Sequence, residues 1–121
     1  MYNVVFYEDR KGYSELYDEV KKLATKSNND KNARIQFKQI TLYIELLRLH
    51  GTNMSTNITK HLVDDIWELR PGSNRVLYFY YSNNTFVLLH MFKKKTQKTP
   101  KLEIERALKE CNDYKLRYGG N

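Results

Sequence analysis

The sequence predicts an α+β fold: a small antiparallel sheet meander packed against an N-terminal helical hairpin and followed by a C-terminal helix. Three observations predict it. Apolar residues recur every three or four positions between Tyr13 and Leu47, the stripe of amphipathic helices. From Ile66 to Phe92 the period falls to two, interrupted by polar turn clusters. Thr99-Pro100 then opens a second helical stretch.

Val4, Val5, Phe6 and Tyr7 form a short apolar run and predict a first strand from Asn3 to Tyr7. Tyr13, Leu16, Tyr17, Val20, Leu23 and Ala24 give the first helix, ended by Ser27, Asn28, Asn29 and Asp30. Ala33, Phe37, Ile40, Ile44 and Leu47 give the second, from about Asn32 to His50. Gly51 to Asn57 is turn-rich, and a short strand is expected around Ile58 to Leu62. Ile66, Glu68 and Arg70 alternate with Trp67 and Leu69. Turns at Pro71–Asn74 and Ser82–Asn84 frame two further strands, Arg75 to Tyr81 and Thr85 to Phe92, in an antiparallel meander with one face covered. Thr99 is the expected N-cap of the last helix, with Pro100 at its first position. Leu102 or Ile104, then Ala107, Leu108, Cys111 and Tyr114, form its buried stripe.

The chain has 121 residues and is 40% hydrophobic, enough for one modest core, so a single domain spanning 1–121 is expected. The start Met1 to Tyr7 meets Glu8, Asp9 and Arg10 at once, unlike a signal peptide, and no apolar run approaches a membrane span. With a single cysteine, Cys111, no disulfide can form within the chain. A cytoplasmic protein without membrane partners is the expectation, and the sequons at Asn53, Asn57 and Asn83 then carry little meaning.

Net charge is +7 and concentrated late: residues 1–50 carry nine Lys/Arg and seven Asp/Glu, the remainder twelve and seven. Lys93, Lys94, Lys95, Lys98 and Lys101 fall within nine residues, a footprint suited to a polyanion. His50, His61 and His90 are not at metal-ligand spacing, and neither a phosphate loop nor a nucleophile elbow is present. No metal or cofactor is therefore expected. The chemistry-bearing residues are basic and aromatic. Arg70 closes one strand, Arg75 opens the next, and His90 to Pro100 leaves the last strand for the last helix. In a meander these three places can share one sheet edge, where guanidinium and ammonium groups suit an RNA phosphate.

The bland alternatives are specific. Arg70 could bridge Glu68 at the surface, and Lys93 to Lys95 could guard an edge strand against aggregation. Trp67 and the run Tyr78-Phe79-Tyr80-Tyr81 could stack bases, although aromatic strand residues are more often core. His90 suits proton transfer by its ordinary pKa of about 6.5, but a histidine alternating with Leu88 and Phe92 is more often structural.

Three motifs in this order carry a resemblance: Leu-Val-Asp-Asp-Ile-Trp-Glu-Leu-Arg at 62–70, Arg-Val-Leu-Tyr-Phe-Tyr at 75–80, and Lys-Lys-Thr-Gln-Lys-Thr-Pro at 94–100. The segment from Leu62 to Tyr114 resembles the phage-derived, HigB-like branch of the RelE/ParE toxin superfamily. The resemblance implies a RelE-like fold and a ribosome-dependent endoribonuclease of a type II toxin-antitoxin system. Such an enzyme cuts messenger RNA in the ribosomal A site and is held inactive by a helix-turn-helix, HigA-like antitoxin. Arg70, Arg75, Lys94 and Lys95 match the family's basic positions and are its candidate catalytic residues, with His90 as a candidate for proton transfer. Lys93, Thr96, Gln97, Lys98 and Lys101 are the candidate RNA-binding residues. The aromatic acid-base residue that some RelE members carry in the last helix has no evident counterpart here, so the general acid is left open.

The implied reaction is attack of a ribose 2'-hydroxyl on the adjacent phosphorus without a metal. Two rival functions remain: a basic module that binds RNA or ribosomes without cutting, and a co-repressor that meets operator DNA only through its antitoxin. No helix-turn-helix is recognisable in this chain.

Overall fold

The computed structural model describes residues 1–120. Its elements are β1 (Asn3–Phe6), α1 (Glu15–Lys26), α2 (Lys31–His50), β2 (Thr59–Val63), β3 (Ile66–Leu69), β4 (Asn74–Tyr80), β5 (Thr85–Lys93) and α3 (Lys101–Tyr118). Local chemistry sets the helix starts. Ser14 Oγ accepts from the Tyr17 amide at 3.1 Å, and Asp30 Oδ1 accepts from the Ala33 amide at 3.1 Å, so each helix of the hairpin has a side-chain cap. Helix α2 ends at Gly51, whose φ of +60° carries the chain past Tyr2; a Cβ there would sit 2.8 Å from the Tyr2 ring.

The sheet runs β1-β5-β4-β3-β2. Strands β2 to β5 form the expected antiparallel meander, but β1 pairs with β5 in parallel, Val4 opposite Phe86 and Phe6 opposite Leu88, so the sheet is mixed. Both of its faces are covered, where one was expected. Leu16, Ile40 and Leu47 of the hairpin pack with Leu69, Val76, Tyr78, Phe86, Leu88 and Met91 on one face. Ala107 and Cys111 of α3 pack with Ile66, Leu77, Phe79, Val87 and Leu89 on the other. Val76 to Phe79 and Phe86 to Leu89 are unbroken apolar runs, the pattern of strands buried on both sides, which outweighs the polar alternation at the strand ends. Within α3, Ile104 belongs to the packed side and Leu102 points to solvent.

A bulge in β5 sets the position of a key side chain. Leu77 pairs with His90 and Tyr78 with Leu88, leaving Leu89 as the extra residue. Leu88 and Met91 consequently face the hairpin, whereas Leu89 and His90 both face α3.

Two bonded tyrosines link separate elements, Tyr78 to β2 within the sheet and Tyr7 to α3. Burial pushes Tyr78 up to about 12, against the lowering effect of its 2.7 Å hydrogen bond with Thr59 Oγ1. Burial, with Asp113 accepting the Tyr7 hydroxyl at 2.7 Å, pushes Tyr7 to about 12 as well. A raised folded-state pKa contributes stability that is complete below the unfolded value of about 10 and lost as pH rises through the folded value. Stability to urea should therefore hold to about pH 10 and fall between 10 and 12. Tyrosinate absorbance of the folded protein should keep rising to about pH 12 as these two rings ionise. A Tyr78→Phe variant with an unchanged absorbance curve above pH 10 would contradict this packing.

Candidate active site

The end of β3, the β3–β4 turn and the segment leaving β5 meet as the motif order suggests. Asn74 pairs with Lys93, and the Lys94 amide donates to Ser73 O at 2.8 Å, which ties the lysine run to the turn after Arg70. Beside this junction lies a groove of about 700 Å³. Lys60 and His61 of β2 line one side, Glu68 and Arg70 the floor, and the 96–101 segment with the start of α3 the other side.

Glu68 organises the floor. It faces α3 with Ile66 and is only 3% exposed. Its Oε1 lies 3.5 Å from Arg70 Nε and 3.9 Å from Arg75 Nε, and its Oε2 accepts from Thr99 Oγ1 at 2.5 Å. One buried carboxylate thus orients two guanidinium groups and the loop opposite. The Arg70–Glu68 bridge is the one considered from the sequence as a surface contact, but here the carboxylate is buried, and Arg70 still lines the groove. Arg70 Nη1 donates to Thr56 O at 2.9 Å, so the side chain is held at both ends while remaining partly open to solvent.

Arg75 has a different setting. Its Nη1 donates to the Gly72 and Asn74 carbonyls, each at 2.8 Å, and its side chain is buried. Burial, then the Arg70 charge, lowers the pKa of its guanidinium, with Glu68 acting in the opposite direction. Arg75 holds the turn and the carboxylate and does not line the groove.

His90 is the clearest correction. The bulge turns it under α3, where its ring is wholly buried, with Nδ1 2.6 Å from Glu110 Oε1 and Nε2 3.0 Å from Glu103 Oε1. Both nitrogens are engaged and no nucleotide can reach them. The expected capping by Thr99 is also corrected. Helix α3 begins one residue later, with Pro100 at the cap position and no side-chain cap, because the Thr99 hydroxyl is used on Glu68. The uncapped start of α3, with Pro100 and Lys101 among the groove residues, thus lies at the groove rim, where a helix end favours an anion.

The candidate RNA-binding residues divide. Thr96, Gln97, Lys98 and Lys101 line the groove. Lys93 lies on the hairpin side, bonded to Gln36 of α2 and facing a separate hollow with Glu19, Lys22 and Lys26. Lys94 and Lys95 are exposed beyond the strand end, with no side-chain hydrogen bond among the described residues.

Lys60 and His61 are the groove residues the sequence reading missed. Their signal was position: β2 pairs with β3, so Lys60 stands opposite Glu68 and His61 opposite Trp67. His61 Nε2 lies 2.7 Å from Asp64 O, and its ring meets Trp67 edge-on at 5.3 Å. A carbonyl only accepts, so Nε2 carries the proton, and in the neutral ring Nδ1 keeps its lone pair. Among the described residues, no group of three or more His, Cys, Asp or Glu is placed to hold a metal, and no helix is long and apolar enough to cross a membrane.

Comparison with known proteins bears on the family and the fold. A family model described as phage-derived protein Gp49-like matches residues 27–112. No curated protein matches the sequence. Solved structures of similar fold include the heterotetrameric YoeB-YefM toxin-antitoxin complex from Staphylococcus aureus. It is 15% identical with a TM-score of 0.51, over 79% of this chain and 99% of that one. A YoeB dimer from the same organism is 16% identical with a TM-score of 0.52, over 78% and 98%. At such identities the likeness is one of fold.

Proposed function

This chain belongs to the phage-derived Gp49-like family and has the fold of the YoeB toxins, and from that premise we propose that it is the toxin of a type II toxin-antitoxin pair. Its activity is HigB-like: ribosome-dependent cleavage of messenger RNA in the cytoplasm, held off by a cognate helix-turn-helix antitoxin of the HigA type. It meets operator DNA only through that partner. The observation that carries the reading is the groove, where Lys60, Arg70, Lys98 and Lys101 surround a fixed carboxylate and a helix N-terminus.

The residues divide the work of a metal-independent transesterification. His61 Nδ1 takes the proton of the ribose 2'-hydroxyl as its oxygen bonds to phosphorus. The bond from phosphorus to the 5'-oxygen breaks in line, that oxygen takes a proton from water, and a cyclic phosphate is left. Arg70, held at Nη1 and Nε, and Lys95, exposed in the segment that leads into the groove at Thr96, neutralise the charge that grows on the phosphoryl oxygens. Lys94 adds to the same field. Arg75 acts through Glu68 and the turn as a positioning residue. Thr96, Gln97, Lys98 and Lys101 hold the strand.

Primer extension on messages from a bacterial host expressing the chain without its antitoxin tests this. Growth and translation should stop, with new 5' ends inside codons. Purified enzyme on programmed ribosomes should lose tenfold or more of its cleavage rate with His61→Gln, while ribosome binding changes little. Tight ribosome binding with intact messages would instead favour the non-cutting RNA-binding module.

A further inference from the structure

Helix α2 is apolar on two faces. Ala33, Ile40 and Leu47 point into the core and are buried. At about 100° per residue, Ile35, Leu42, Leu46 and Leu49 fall on the opposite side of the helix, and Ile35, Leu42 and Leu49 are 45%, 55% and 46% exposed. They are spaced seven apart along a helix of 20 residues, about 30 Å in length. A surface helix ordinarily keeps one apolar stripe, and a second at heptad spacing is the seam of a helix pair.

We propose that this outer face is where a second copy of the chain docks, α2 against α2, antiparallel about a two-fold axis beside Leu42. The charges select this occupant. Lys38 and Glu45 lie on the same flank of the stripe, seven residues apart and nearly symmetric about Leu42. Reversing the helix about Leu42 sets Leu42 of one copy against Leu42 of the other and Ile35 against Leu49. The same operation sets Lys38 of each copy beside Glu45 of its mate, so the two ion pairs form together. The surface is self-complementary, as a two-fold interface requires. No residue lining the groove is on α2, so pairing leaves both grooves open. The inference does not rest on the toxin reading.

Sedimentation equilibrium of the full chain at tens of micromolar, with circular dichroism of each variant, tests the proposal. The parent should sediment at 29 kDa, twice 14.5 kDa. Leu42→Glu should be a monomer with unchanged helicity, since the side chain it replaces is exposed. Lys38→Glu should weaken the dimer at least tenfold by opposing two acidic pairs, and the swap Lys38→Glu/Glu45→Lys should restore it to within a few-fold of the parent. A monomeric parent at 100 micromolar, or a dimer indifferent to both Leu42→Glu and the charge swap, overturns the proposal. So does a parent that stays monomeric and has its α2 face protected only by a different polypeptide.

Discussion

Arg70→Ala is expected to slow single-turnover cleavage of messenger RNA on programmed ribosomes by about a hundredfold or more while ribosome binding changes little. The structure gives the reason for separating the two quantities. Arg70 is held by Thr56 O and Glu68 before any substrate arrives, so it offers a guanidinium whose orientation costs little to fix when phosphoryl charge develops. Lys95→Ala should show the same pattern, with a smaller loss, because an exposed lysine must be ordered first. Lys98→Ala should do the opposite. A lysine used for docking lowers the salt dependence of binding by about one unit of slope and leaves cleavage of bound ribosomes nearly intact. Lys93→Ala should affect even binding only slightly, since its ammonium is engaged with Gln36 on the hairpin side. Parental cleavage rates for both Arg70→Ala and Lys95→Ala at saturating enzyme would remove this groove as the catalytic centre without touching the family assignment.

The second large effect concerns stability. Glu68→Ala should cost about 3 kcal/mol or more in urea unfolding, because it leaves the buried Arg75 charge without its counter-charge. Glu68→Gln should cost less, since an amide oxygen still accepts from Thr99 Oγ1. Glu68→Ala/Arg75→Met should recover much of the loss, a non-additivity that a simple loss of packing does not produce. If the single and double variants unfold at the same urea concentration, Glu68 and Arg75 are not energetically coupled and the account of the groove floor is wrong.

How far the site could be read from the chain depended on whether its determinants were local. Arg70, the turn at Pro71–Asn74 and the run Lys94–Lys101 are contiguous motifs, and antiparallel pairing brings them together as the alternation implied. The hairpin likewise follows from Ser14, Asp30 and two apolar stripes, all short-range signals. His90 was placed by a non-local event. Simple alternation puts it in phase with Leu88, but the extra residue Leu89 reverses that phase and sends the ring under α3. Thr99 had two possible partners, the α3 amides and Glu68, and only the fold brings Glu68 within reach. The parallel pairing of β1 had no local marker either, because its partner lies more than eighty residues away. His61 joins the groove through strand pairing, and as a lone histidine beside a lysine it carried no motif of its own.

That parallel pairing has a consequence for the birth of the protein on the ribosome. Val4 and Val5 leave the exit site early, yet the strand that will hold them, Phe86 and Val87, is translated only after some eighty further residues. At about 5 to 20 residues per second, β1 waits several seconds without its neighbour. The hairpin can form meanwhile from nearby contacts, but closing so long a loop is a slow, late event. The groove depends on segments later still, at 96–101. A chain interrupted before β5 is made therefore has both an unfinished sheet edge and an unfinished groove, and one interrupted between β5 and Lys101 has its sheet but still lacks the far wall of the groove.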